Sequence, residues 1–183
     1  MSSPETSSPP ASGAVGSWLW GPFSRVGLWV ALAAALVDQA HKWWMILVYQ
    51  IKLGERIYVT PFMDWVFVLN RGISYSLFSL DSRAGQLILA LFAVVVSAGM
   101  WMWLARAGTS RLMAAGLGLI IGGAVGNAID RLTLGGVADF FSLHAFGYYW
   151  YVFNIADVAI VAGVVGLLYD SLLASRNAAA NQG

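Results

Sequence analysis

Four stretches of this chain read as long and apolar enough to cross a lipid bilayer, and no other feature constrains its expected fold as strongly. A bilayer core takes about 20 apolar residues in helical form, because backbone amides there must be satisfied within the segment. The stretches run from about Val26 to Val48, Ala84 to Ala105, Leu112 to Ile129 and Tyr151 to Leu173. The second and third contain no charged residue, and the third carries Gly116, Gly118, Gly122, Gly123 and Gly126. Glycines at this density let helices approach closely, as packing in lipid requires. Only 10% of the 183 residues are charged, against about 25% in soluble domains.

The remaining segments complete an expected layout. Residues 1–20, rich in Ser, Pro, Ala and Gly, read as a disordered tail, and no basic region leads into a short apolar run as in a signal peptide. Residues 21–175 read as one membrane domain, and residues 176–183 as a short C-terminal tail. Between the first two spans, about residues 49–80, lie β-formers, turn residues and the alternating run Asp64–Leu69. The fold expected is an all-α integral membrane protein of four transmembrane helices, with a small β-rich extramembrane element between the first two. Residues 132–150 are expected to form a second loop on the same side, with Tyr148, Tyr149 and Trp150 at the interface.

Composition removes several chemistries. With no cysteine there is no disulfide, no zinc–thiolate site and no cysteine nucleophile. A net charge of +1 with scattered arginines argues against nucleic acid as a partner. His41 and His144 are the only histidines, and neither lies at a spacing that marks a metal site or a triad. The opposite chemistry is well supplied: Asp38, Lys42, Asn70, Asp130, Arg131, Asp139, Asn154 and Asp157 all fall on or near one face of a four-span topology. A raw count of Lys and Arg does not orient the chain. Arg106 and Arg111 in the short loop between spans two and three do, and they place both termini in the cytoplasm.

Each polar group has a plain reading and a functional one. Asp38 and Lys42, four apart on one helical face, suit a salt bridge at the membrane edge. Asp130 and Arg131 suit a helix-end pair, while Asn127 is deep enough to need a partner, either another helix or a bound backbone. Asp139 alone is compatible with a solvated loop acid. Asp157 lies in an apolar helix start, where an ionisable residue is a functional candidate. Spans three and four are joined by a short connection, so the two acids are expected to meet. Like-charge repulsion would then leave them sharing one proton, one acting as acid and the other as base. A proton- or ion-coupled carrier and a salt-bridged scaffold are the alternatives. The clustering of polar groups at one face disfavours the first, and the excess of acids over Arg131 disfavours the second.

Five motifs together resemble the lipoprotein signal peptidase family, also called signal peptidase II. They are Asp38-Gln39-Ala40-His41-Lys42, Asn70-Arg71-Gly72, the Gly-Gly-x-x-Gly-Asn-x-x-Asp-Arg run at 122–131, Val-x-Asp-Phe at 137–140 and Phe-Asn-x-Ala-Asp at 153–157. The resemblance covers about residues 25–173. It implies an intramembrane aspartic endopeptidase with Asp139 and Asp157 as the catalytic dyad. Asn70, Gly72, Asn127, Asp130, Arg131, Asn154 and Ala156 would line or brace the substrate cleft, and Asp38 and Lys42 would form a supporting pair. The amides of Asn70, Asn127 and Asn154 are expected to hold the substrate backbone extended. The implied substrates are diacylglyceryl-modified prolipoproteins, cleaved before the lipidated cysteine of the lipobox, with no metal and no cofactor. The implied setting is the bacterial inner membrane, with membrane lipid around a monomer and the active site at the outer leaflet. After Asn70-Arg71-Gly72 the chain departs from the family's usual small-small-aromatic pattern with Ile73-Ser74-Tyr75.

Overall fold

Helix–helix approach is set by the glycines of the third apolar stretch. The computed structural model describes residues 18–72 and 82–180. The elements in chain order are α1 (Ser24–Trp43), which continues into a π-helical turn (Trp44–Val48), then β1 (Arg56–Thr60), β2 (Met63–Asn70), α2 (Arg83–Ala107), α3 (Arg111–Thr133), β3 (Val137–Ala145), β4 (Tyr148–Phe153) and α4 (Ile155–Ala180). Helix α3 is the central member and packs against α1, α2 and α4. A methyl group on Gly122 would collide with the Ala31 carbonyl of α1, and one on Gly123 would lie 2.5 Å from the Ala156 carbonyl of α4. A Cβ at Gly126 would meet the Asp38 carboxylate at 2.7 Å. The same run of small residues thus seats both neighbours and leaves room for a buried acid.

Helices α2, α3 and α4 are long and apolar enough to cross a membrane. Helix α1, which carries Arg25, Asp38 and Lys42, is not among them. Ile88, Leu91 and Phe92 of α2, and Val161, Val165 and Leu168 of α4, stand exposed on the outside of the bundle. An apolar exterior of this kind is what lipid requires and water disfavours. Serine caps open two of the helices: Ser82 Oγ accepts from Gly85 N at 3.1 Å and Ser110 Oγ from Met113 N at 2.9 Å.

The two loops at one end of the bundle are parts of a single sheet, which corrects the expected all-α fold with β-structure confined to about residues 49–80. The sheet is four-stranded and antiparallel, in the order β1-β2-β3-β4. Residues expected as a plain loop form β3 and β4, and Tyr151–Phe153, expected to begin the fourth span, belong to β4. The physical reason is that β2 alone would leave a bare hydrogen-bonding edge, and the β-branched and aromatic run Tyr148–Phe153 favours strand over helix. Gly135, with φ at +75°, ends α3 in the left-handed conformation and turns the chain into β3. Phe146 and Gly147, both at positive φ, close the β3–β4 hairpin.

The sheet rests on the end of α1. Met45, Ile51, Ala138 and Phe140 are buried together, Phe140 stacks on Phe67 at 5.1 Å, and His41 stacks on Phe141 at 5.0 Å. Trp18–Trp20, from the segment expected as a tail, lie against α2: the Arg106 guanidinium sits over the Trp18 ring at 3.8 Å. The rest of that expected tail, the departure at Ile73-Ser74-Tyr75 and the last three residues fall outside the described residues.

The tight α3–α4 contact predicts a position-specific result. Gly123→Val is expected to destabilise the protein by about 1–3 kcal/mol through overpacking. Gly99→Ala in α2, where an added methyl meets nothing within 4 Å, should leave the melting temperature unchanged or slightly raised. Thermal unfolding in detergent checks both, and equal melting of the two variants would contradict the packing.

Candidate active site

One buried ammonium organises the polar end of the bundle. Lys42 Nζ lies 2.8 Å from Asp38 Oδ2, 2.7 Å from Asp130 Oδ2 and 3.0 Å from Asn127 Oδ1, so its three donors are all in use. Each of the two acids in turn receives a backbone amide. Asp38 Oδ1 accepts from Ala156 N at 2.9 Å, and Asp130 Oδ2 accepts from Ala138 N at 3.0 Å. Ala156 and Ala138 immediately precede Asp157 and Asp139. The positions of those two aspartates in α4 and β3 are therefore both referred to Lys42. Asp130 does not form the helix-end pair with Arg131 that its neighbour suggests. Arg131 instead donates to the carbonyls of Asn127 at 3.3 Å and Gly72 at 3.2 Å.

Asn154 joins the two aspartates. It caps α4: its Oδ1 accepts from Asp157 N at 3.0 Å, while its own N–H donates to Asp157 Oδ2 at 3.3 Å. This reciprocal arrangement is a capping box with aspartate in the third position. The Asn154 amide Nδ2 donates to Asp139 Oδ1 at 2.6 Å and to Asn127 Oδ1 at 3.1 Å, and Asn127 Nδ2 donates to Asp157 Oδ1 at 3.1 Å. Asn154 is wholly buried, with its oxygen and amide group both engaged within the site. Its side chain thus touches both carboxyl-bearing elements, β3 through Asp139 and α4 through Asp157. Asn70, at the end of β2, hydrogen-bonds Asp139 and accepts from Gly72 N at 3.1 Å.

A cavity of about 190 Å³ brings the expected residues together: Asn70, Gly72, Asn127, Arg131, Asp139 and Asp157 all line it. That is room for several waters, whose share of liquid volume is roughly 30 Å³ each. Burial first, and the Asp157 charge second, push the Asp139 carboxyl up to about 7. A carboxyl titrating there holds a proton near neutral pH, as acid–base chemistry needs. Two larger grooves each touch one of these acids and share Tyr151. One of about 490 Å³ runs past Val68, Asn70 and Asp139 to Tyr149–Val152. The other, about 390 Å³ and almost wholly apolar, follows α4 from Asp157 to Val158, Val161 and Ala162.

Asp38, Lys42, Asp130 and Ala156 lie behind this cavity as its support and do not line it. Sequence reasoning missed two participants. Tyr151 lines all three hollows, and its role becomes visible only once β4 is known to be a strand. Gln39 donates to Asp130 at 2.8 Å and to the Gly126 carbonyl at 3.1 Å. An amide beside a buried charge pair on one helical face was a readable signal. His144 pairs with Asp64 at 3.1 Å and His41 is packed against aromatics, so neither reaches the acids. No group of three metal-ligating side chains occurs among the described residues.

The fold and site define a multi-pass membrane protein with two carboxyl groups on one cavity, roomy enough for several waters, at one end of its helices. The family described as signal peptidase (SPase) II matches residues 30–173. The lipoprotein signal peptidase of Methylorubrum extorquens is 49% identical over 81% of this chain and 86% of its own length. That of Nitrobacter hamburgensis is 50% identical over 81% of this chain and 93% of its own. A bacterial membrane enzyme solved by the in meso method at 2.3 Å superposes with a TM-score of 0.67 at 26% identity, over 84% of this chain and 91% of that one. The chain belongs to the signal peptidase II family, bacterial membrane proteases of the aspartic type.

The Lys42 cluster predicts a large stability effect. Lys42→Met leaves Asp38 and Asp130 buried without their cation, which should cost about 3–5 kcal/mol. Adding Asp130→Asn should recover part of that loss by removing one uncompensated charge. Denaturant or thermal unfolding in detergent checks this, and wild-type stability in Lys42→Met would show that the ammonium is dispensable.

Proposed function

We propose that this protein is an intramembrane aspartic endopeptidase that removes signal peptides from diacylglyceryl-modified prolipoproteins, with Asp139 and Asp157 as its catalytic pair. The carrying observation is that both carboxyl groups line one 190 Å³ cavity while Asn154 and Asn127 bridge them from behind. Asp139, with its carboxyl pushed up to about 7, carries the shared proton. Asp157 takes a proton from a water between the pair, and that water attacks the carbonyl carbon preceding the lipidated cysteine. Asp139 donates a hydrogen bond to the carbonyl oxygen as charge develops there. The proton held by Asp157 then passes to the leaving amine as the C–N bond breaks. No step calls for a metal or an organic cofactor.

The grooves suit the two parts of such a substrate. The 490 Å³ groove along β4 receives extended peptide, and the apolar 390 Å³ groove along α4 receives acyl chains. Asn70, Gly72, Asn127 and Arg131 form the rim against which the peptide is held. Helix α1 completes a set of four spans, its buried charges neutralised by the pairing of Lys42. Arg106 and Arg111, flanking the short α2–α3 connection, support cytoplasmic termini and an active site at the outer leaflet of the bacterial inner membrane. One chain supplies both acids, which supports action as a monomer surrounded by lipid. A carrier would need polar groups reachable from both ends, whereas here they gather at one.

Cleavage of a diacylglyceryl-modified lipobox peptide in detergent tests this reading. Asp139→Asn and Asp157→Asn should each lower turnover by at least about a hundredfold, the scale of acid–base catalysis, with a chelator harmless. Wild-type kcat/KM should fall as pH rises through about 7, because Asp139 loses the proton it must donate. Undiminished cleavage by either folded variant would overturn the mechanism.

A further inference from the structure

A second polar hollow lies at the same end of the bundle, and its lining is cationic. Arg71, Arg83 and Arg131 face a cavity of about 210 Å³ between the start of α2 and the end of α3, with Gln86 beside them. Among the described residues no carboxylate lines it, and neither Arg71 nor Arg83 has an ionic partner. Arg131 is held by two carbonyls, yet its buried Nε has no hydrogen-bond partner among the described residues. Arg131 is offset by Asp130, Asp139 and Asp157, but Arg71 and Arg83 have no carboxylate beside them among the described residues, and two guanidiniums brought to one hollow in this way favour an anion. The first turn of α2 contains no acid to offset the positive end of its helix dipole, which adds to the same field.

The rim of the hollow is apolar. Leu87 and Leu132 line it while remaining 46% and 50% exposed, and Leu91 and Val95 continue from Leu87 down the outer face of α2. A cationic pocket at the end of a membrane-crossing helix, opening onto an exposed aliphatic stripe, matches one amphiphile. We propose that this hollow binds the phosphate of an anionic phospholipid, whose acyl chains lie along Leu87, Leu91 and Val95. A zwitterionic headgroup would bring its own cation against the guanidiniums and is disfavoured. Arg131 also lines the 190 Å³ cavity of the two aspartates, so the bound lipid would sit one side chain away from them. The inference does not rest on the protease reading, since its test is a binding measurement.

Dihexanoylphosphatidylglycerol, dihexanoylphosphatidylcholine and inorganic phosphate are titrated calorimetrically into the full-length protein in an uncharged detergent. Wild type should bind the phosphatidylglycerol saturably at one site. Arg71→Gln/Arg83→Gln should weaken it by at least about tenfold, the scale of one charge-assisted contact. Arg106→Gln/Arg111→Gln, which removes the same charge at the other end of the bundle, should leave it unchanged. Arg71→Lys/Arg83→Lys should retain part of the affinity, which separates lost charge from lost fold. Binding unaffected by Arg71→Gln/Arg83→Gln, or equal binding of the phosphatidylcholine, would overturn the site. Inorganic phosphate binding as tightly as the lipid would overturn the lipid as its occupant.

Discussion

The polar end of this protein depends on Lys42. Its ammonium holds Asp38 of its own helix and Asp130 of α3, and those acids hold the backbone amides next to Asp157 and Asp139. In a low-dielectric interior none of the three charges is tolerable alone, whereas together, with Asn127 and Gln39 filling the remaining positions, they are satisfied. The arrangement links α1, α3, α4 and the sheet at one point. It also explains the glycine at 126, where any side chain would press on Asp38.

Above that cluster the acids are treated differently. Asp38 and Asp130 face a cation directly. Asp139 and Asp157 are given amide donors and a cavity, with the nearest guanidinium, Arg131, turned to carbonyl oxygens. Without full neutralisation a buried pair retains a proton, and that is the condition for one carboxyl to give a proton while its partner takes one. The surrounding surface has the same logic at a larger scale. The groove along β4 reaches Asp139, the apolar groove along α4 reaches Asp157, and exposed aliphatic side chains on α2 and α4 continue along the outside of the bundle.

Much of this was legible from the residues. The helical stretches, the glycine face of α3, the Asp38–Lys42 pair and the set of polar residues at one end all follow from apolar length, small-residue spacing and the cost of buried charge. The sheet was half legible. The alternation at Asp64–Leu69 marks β2, but β3 and β4 were hidden because aromatic runs such as Tyr148–Phe153 suit either a strand or a membrane interface. The capping role of Asn154 was hidden for a related reason, since an amide before a helix reads equally as a cap or as a substrate ligand, and its bonds to Asp157 appear only in the folded chain. The role of Tyr151 depends on register, which no local pattern encodes.

The most direct test of the account is the titration of Asp139 itself, followed through its carboxyl carbon by NMR of aspartate-labelled protein in wild type and Asp157→Asn. Asp139 should titrate near 7 in wild type and at a lower pH once the neighbouring charge is removed. An ordinary carboxylate value in wild type, or a value indifferent to Asp157, would mean that the two acids do not share a proton and that the pair is not the catalytic unit.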